Sequence, residues 1–181
     1  MAEIFIFTLK CFYLMLPAYF ANMAPVIFKR INIFVCPIDF NKKLLGKPIL
    51  GKNKTYRGLF FSVISSVIIA LIQHYLYNFD YFRTISFFNY QRWFLFGLLM
   101  GFGAVFGDIA KSFLKRMAGI KSGNPFIPFD QIDFAIGSLL LIYMFKIITL
   151  RIILVSVVLS FVLHIIVNHI AYYAKIREEM W

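Results

Sequence analysis

Of 181 residues, 61% are hydrophobic and only 15% are charged. A soluble domain of this size carries roughly 25% charge, so the chain is read as one integral-membrane domain, residues 1–181. The formal net charge of +11 does not indicate nucleic acid, because Lys and Arg lie in short connections between apolar runs, where they orient a membrane protein.

Five segments approach the roughly 20 apolar residues that cross a hydrocarbon core: Ile4–Val26, Gly58–Tyr77, Trp93–Ala110, Ile132–Ile147 and Ile152–Tyr173. The expected fold is an all-α membrane protein of five transmembrane helices. The third and fourth segments are short, which brings their polar flanks to the interface. The start, MAEIFIF, has no basic region or small-residue cleavage site, so the first segment is expected to be a retained helix rather than a signal peptide. Cys11 in that segment and Cys36 in the next connection offer neither a disulfide pair nor a zinc pattern.

The connections divide by charge. Residues 29–57 hold Lys29, Arg30, Lys42, Lys43, Lys47, Lys52, Lys54 and Arg57; residues 111–131 hold Lys111, Lys115, Arg116 and Lys121; the tail adds Lys175 and Arg177. The other side holds Arg83, Arg92, Lys146 and Arg151. This bias places the N-terminus outside, with both basic loops and the C-terminus in the cytoplasm. Tyr75, Tyr77, Tyr81, Trp93, Tyr172 and Tyr173 sit near segment ends, as an interfacial aromatic belt requires.

The first loop ends in Gly51-Lys-Asn-Lys-Thr-Tyr-Arg-Gly58. It lacks the GxxxxGK[ST] of a P-loop, yet Asn53, Lys54, Thr55 and Arg57 at a helix N-terminus suit an anion; composition alone allows topology anchoring equally. In the first segment, Asn22 between Pro17 and Pro25 marks an expected break that lines a polar cavity. His74, His164, Asn168 and His169 are read as interhelical hydrogen-bonding groups rather than metal ligands.

The densest chemistry lies from Gly97 to Asp133. Gly97, Gly101, Gly103 and Gly107 lead into Asp108. These glycines either let helices pack closely or admit a phosphate to the backbone. Asp108 at helix depth costs roughly 2.5–3.5 kcal/mol even on a permissive scale, which favours function over accident. Asp130 and Asp133 share a face at the start of the fourth segment. N-capping explains one of them, whereas the three aspartates together suit a hard cation such as magnesium with phosphate oxygens and water. Lys111, Ser112, Lys115 and Arg116 share the next stretch and could clamp phosphates if the third helix continues past the membrane. Pro125 and Pro128 stiffen the intervening loop.

The block SFLKRMAGIKSGNPFIPFDQID resembles the signature of membrane CTP:phospholipid cytidylyltransferases, with Ser-x-x-Lys-Arg followed by Asp-x-x-Asp. CDP-diacylglycerol synthases usually carry Asp-Arg before the last aspartate. Here Asp130-Gln131, GKNKTYRG and the early LPAYFANMAP resemble the CDP-archaeol synthase family more closely, across nearly the whole chain.

That resemblance implies a magnesium-dependent nucleotidyltransferase of phospholipid biosynthesis in the cell membrane. It would move the cytidylyl group of CTP to 2,3-bis-O-geranylgeranylglycerol 1-phosphate, giving CDP-archaeol and pyrophosphate. The motif-matched positions are Asn53, Lys54, Thr55, Arg57 and Gly58; Asp108, Lys111, Ser112, Lys115 and Arg116; and Asp130 and Asp133. Asp108, Asp130 and Asp133 are the expected magnesium ligands, Lys111, Lys115 and Arg116 the phosphate holders, and Asn53 to Arg57 a cover for the nucleotide. Phosphatidic acid is the alternative lipid. A transporter, which would continue polar groups across the membrane, and a non-catalytic scaffold are the rival classes.

Overall fold

The computed structural model describes residues 1–44, 46–51, 53–121 and 124–173; Lys52, Lys175 and Arg177, counted above for orientation, lie outside the described residues. Six helices appear in chain order: α1 (Ala2–Ile27), α2 (Tyr56–Leu76), α3 (Asp80–Thr84), α4 (Trp93–Met117), α5 (Phe129–Met144) and α6 (Leu150–Tyr173). Four of them, α1, α2, α4 and α6, are long and apolar enough to cross a membrane. The protein is therefore a multi-pass membrane protein. The predicted fourth span is α5, whose 16 residues extend about 24 Å.

The expected all-α fold is incomplete in one place. Lys43–Leu44 (β1) and Lys47–Pro48 (β2) pair antiparallel in a hairpin, turned through Gly46 at φ +77°, a conformation that suits glycine. The connection between α2 and α4 also contains the short α3, which the apolar pattern does not reveal. Finally, α4 runs on to Met117, so Lys111, Ser112, Lys115 and Arg116 belong to a helix rather than to a loop.

The expected break in α1 does not occur: Ala2–Ile27 is one helix with Pro17 and Pro25 inside it. A proline leaves the carbonyl four residues earlier without its helical donor, and α2 supplies both replacements. Gln73 Nε2 donates to Tyr13 O at 2.6 Å, opposite Pro17, and Ser62 Oγ donates to Ala21 O at 2.7 Å, opposite Pro25. Polar side chains of a neighbouring helix thus satisfy the freed backbone groups, as apolar surroundings require.

Helix α4 lies between α2 and α5, and its glycines serve two faces. A Cβ on Gly97 would stand 2.7 Å from Val67 Cα, and one on Gly101 2.9 Å from Val63 Cα, both on α2. A Cβ on Gly103 would stand 2.5 Å from Ser138 Cα, and one on Gly107 would overlap Asp133 O, both on α5. The packing reading of this stretch holds at all four positions. Serines stitch the same contacts: Ser66 Oγ donates to Gly97 O and Ser138 Oγ to Met100 O, each at 2.8 Å. On the outer flank, Leu154, Val158, Val162 and Ile166 of α6 are all exposed at steps of one helical turn, an apolar stripe suited to lipid.

Candidate active site

Close packing of α4 on α5 decides where the carboxylates go. Gly107 seats the first turn of α5 against α4, one residue before Asp108. The Lys111 ammonium then lies among three carboxylates: 3.3 Å from Asp108 Oδ1, 2.9 Å from Asp130 Oδ1 and 3.0 Å from Asp133 Oδ2. Lys54, from the end of the first loop, pairs with the other Asp108 oxygen at 2.5 Å. Lys115, one turn beyond Lys111, reaches Asp130 Oδ2 at 3.1 Å. Three carboxylates and three ammonium groups therefore form one compact cluster.

Local backbone donors fix the aspartates. Phe126 N–H donates to Asp130 Oδ2 at 2.6 Å, and Phe134 N–H donates to Asp133 Oδ1 at 2.7 Å. Asp130 thus closes the loop that precedes α5, but it is not the helix N-cap, which is Pro128 and makes no side-chain cap bond; its other oxygen faces Lys111.

The remaining expected site residues divide. Asn53, Lys54, Thr55 and Gly58 line a small cavity of about 60 Å³ together with Asn22, Ser62 and Asp108, so Asn22 does border a polar space although its helix is unbroken. Thr55 is the N-cap of α2, its Oγ1 accepting from Gly58 N–H at 3.2 Å. Arg57 turns away from the cluster, donating to Lys29 O at 2.7 Å and Ile31 O at 3.2 Å; it ties the end of α1 to α2. Ser112 is buried on α4 outside the set of ion pairs. Arg116 donates to Leu50 O at 3.4 Å and to Ile120 O, so it holds two loops rather than a carboxylate.

One residue escaped the sequence reading. Asp39 is buried and accepts from Asn41 N–H at 3.0 Å, Leu50 N–H at 2.9 Å and Gly51 N–H at 3.3 Å. Burial alone would raise its pKa, but these backbone donors win and hold the carboxyl below its ordinary value. The Asp-Phe-Asn turn after Pro37 was the available signal, since aspartate readily bonds the backbone two residues on. With Lys47 Nζ donating to Met117 O at 2.8 Å, this loop roofs a cavity of about 710 Å³. Asn53, Lys43, Lys47, Arg116 and Lys121 line that cavity. A third opening, an apolar groove of about 560 Å³ between α1 and α6, is lined by Leu16, Tyr19, Phe20 and Phe134 and edged by Asn22.

The donor set fits a hard cation in one respect: three carboxylate oxygens already surround a single positive centre, the Lys111 ammonium. Among the described residues, no three His, Cys, Asp or Glu side chains form a metal-binding group by themselves. A cation here would complete its shell with water or phosphate oxygens, as magnesium commonly does.

By class this is a helical membrane protein with a buried charged cluster, beside which a small cavity shares Asn53 with a basic cavity and Asn22 with an apolar groove. Its known relatives share the architecture. A solved structure described as an intramembrane enzyme for archaeal membrane lipids biosynthesis superposes with a TM-score of 0.71 at 27% identity, over 86% of this chain and 90% of that one.

The family model CarS-like, described as CDP-archaeol synthase, matches residues 2–181. CDP-archaeol synthase of Methanococcus aeolicus is 34% identical over 96% of each chain. That of Archaeoglobus fulgidus is 34% identical over 96% of this chain and 97% of its own. That of Methanoculleus marisnigri is 37% identical over 92% of this chain and all of its own. This chain belongs to the CDP-archaeol synthase family.

Proposed function

We propose that the protein transfers the cytidylyl group of CTP to an isoprenoid diether lipid phosphate, 2,3-bis-O-geranylgeranylglycerol 1-phosphate, giving CDP-archaeol and pyrophosphate. The observation that carries this reading is the position of the Asp108–Lys111–Asp130–Asp133 cluster. Asp108 of this cluster lines a small cavity that shares Asn53 with a basic cavity of nucleotide size and Asn22 with an apolar groove suited to lipid tails. Family membership favours the diether over phosphatidic acid.

Phosphoryl transfer depends on positioning and charge neutralisation. A lipid phosphate oxygen forms a bond to the α-phosphorus of CTP as the bond to pyrophosphate breaks in line. The lipid phosphate is already anionic at neutral pH, so no general base is required. Lys54, Lys111 and Lys115, on three sides of the carboxylates, would offset phosphate charge. Arg116 and Lys47 would hold the loops that cover the nucleotide. Asp108, Asp130 and Asp133 would hold magnesium, which when bound neutralises phosphate oxygens and steadies the leaving pyrophosphate.

In the membrane, we read five passes with the N-terminus outside and the cluster facing the cytoplasm. The basic loops support this orientation.

Pyrophosphate release from CTP by the purified protein in detergent tests the function, with magnesium present or chelated and with diether and diester lipid phosphates in parallel. Diether-selective, magnesium-dependent release is expected. Preference for the diester would transfer the reading to CDP-diacylglycerol synthesis, and folded protein without lipid-dependent turnover would end it.

A further inference from the structure

Helix α6 carries a polar residue at every fourth position, Ser156, Ser160, His164 and Asn168, with apolar residues between them. At that spacing they share one face. In lipid such a face is costly unless it meets protein or a polar space. Ser156, Ser160 and Asn168 are buried, and Ser160, His164 and Asn168 line the groove of about 560 Å³ between α1 and α6. The groove is therefore apolar on most of its wall, with one polar line along α6.

That line has a direction. Helices α1 and α6 run parallel, since the Arg151 guanidinium lies 4.5 Å from the centre of the Phe7 ring and the Tyr19 hydroxyl meets Ser160 Oγ at 3.0 Å. His164 and Asn168 thus follow Ser160 toward the end of the groove where Asn22 stands. Asn22 also borders the small cavity lined by Lys54 and Asp108.

Donor accounting divides the line. Ser160 Oγ donates to Ser156 O at 2.7 Å, which commits its one hydrogen and makes Tyr19 the donor of the hydroxyl pair. The pair therefore presents only acceptors to the groove. The ether oxygens of a diether glycerol phosphate, and its ionised phosphate oxygens, also only accept. On α6, the donors that such a ligand needs begin at His164 and continue at Asn168, about 6 Å further along the axis.

Resting on the function proposed above, we propose that α6 recognises the lipid acceptor. His164 and Asn168 donate hydrogen bonds to the glycerol and phosphate oxygens of the diether phosphate, its tails lie along Leu16 and Phe20, and CTP is left untouched.

The test measures separate KM values for diether phosphate and CTP in the full-length protein, with thermal unfolding as the check on folding. His164→Leu and Asn168→Leu should each raise the lipid KM about five- to hundredfold, the loss of one hydrogen bond to a neutral or charged oxygen, with the CTP KM within about twofold. His164→Gln keeps a donor and should recover most of that loss. Val167→Trp, at an exposed position lining the groove, should fill it and raise the lipid KM alone. Excess phosphodiester lipid should not compete with the substrate. A lipid KM unchanged in the leucine variants or in Val167→Trp, or a shift shared with or confined to CTP, overturns the proposal. So does a His164→Gln no better than His164→Leu. Unfolding of both leucine variants would make the polar line structural, and competition by the phosphodiester would make the groove a general lipid seat; either overturns the proposal as well. Folded wild type without turnover is a different result, because it removes the functional reading itself.

Discussion

Replacing Gly107 by alanine tests whether helix packing and chemistry are one design. The added methyl would overlap the Asp133 carbonyl oxygen. An ordinary carbon–oxygen contact is about 3.3 Å or longer, so the first turn of α5 must retreat by roughly 1 Å. Lys111 then loses its 3.0 Å pairing with Asp133, and Asp130 moves with the same turn. Overpacking of this kind costs about 1–3 kcal/mol, and misplacing a reacting group by about 1 Å costs on the order of a hundredfold in rate. Gly97→Ala is the matched control, because its methyl would press on Val67 of α2, away from the carboxylates. Thermal unfolding and kcat/KM for CTP, measured on both purified variants, should show similar losses of stability. Only Gly107→Ala should lose about two orders of magnitude in kcat/KM. Equal activity in the two variants would refute the claim that the α4–α5 contact positions the site.

Lys111→Met removes a cation shared by all three carboxylates; activity should fall at least about a hundredfold, and thermal unfolding should move to lower temperature because the carboxylates are left facing one another. Asp39→Ala should free the Leu50 and Gly51 amides and raise their hydrogen exchange. Since the folded-state pKa of Asp39 is depressed, its contribution to stability is present above the ordinary carboxylate value of about 3.9. It is lost as pH falls through the lower folded value. Acid unfolding of wild type and Asp39→Ala should therefore differ at neutral pH and converge at low pH; a constant offset down to strongly acid pH would contradict this linkage.

Which parts of the molecule were legible in the sequence follows from the range of the forces involved. The long helices were, because apolar length is a local property, and four of the five expected spans have the length and composition to cross. The aspartate–lysine cluster was legible as a set, because Asp108, Lys111 and Lys115 lie at helical spacing and Asp130 and Asp133 at the next helix start. Their pairing was not: nothing in the order of residues says that Lys111 sits among all three carboxylates. Thr55, Arg57 and Arg116 looked like anion-binding residues because hydroxyl and guanidinium groups serve anions and carbonyls alike. The structure gives each a backbone partner, Gly58 N–H for Thr55 and carbonyl oxygens for the two arginines.

The prolines of α1 show why the rest stayed hidden. Read along the chain, Pro17 and Pro25 each delete a helical donor, and a break is the local answer. The compensation stands some 40 and 60 residues away, in Ser62 and Gln73, two polar residues in an apolar helix with no obvious local use. The freed carbonyls are eight residues apart on α1, and their donors are eleven apart on the antiparallel α2. Two bonds, well separated along both helices, fix the register of one helix against the other. The lock has a functional consequence, because Asn22 lies one residue beyond the Ala21 carbonyl that Ser62 holds. Asn22 edges both the small polar cavity beside Asp108 and the apolar groove. Polar residues that look out of place in a membrane helix thus fix the wall between the apolar groove and the small cavity beside Asp108.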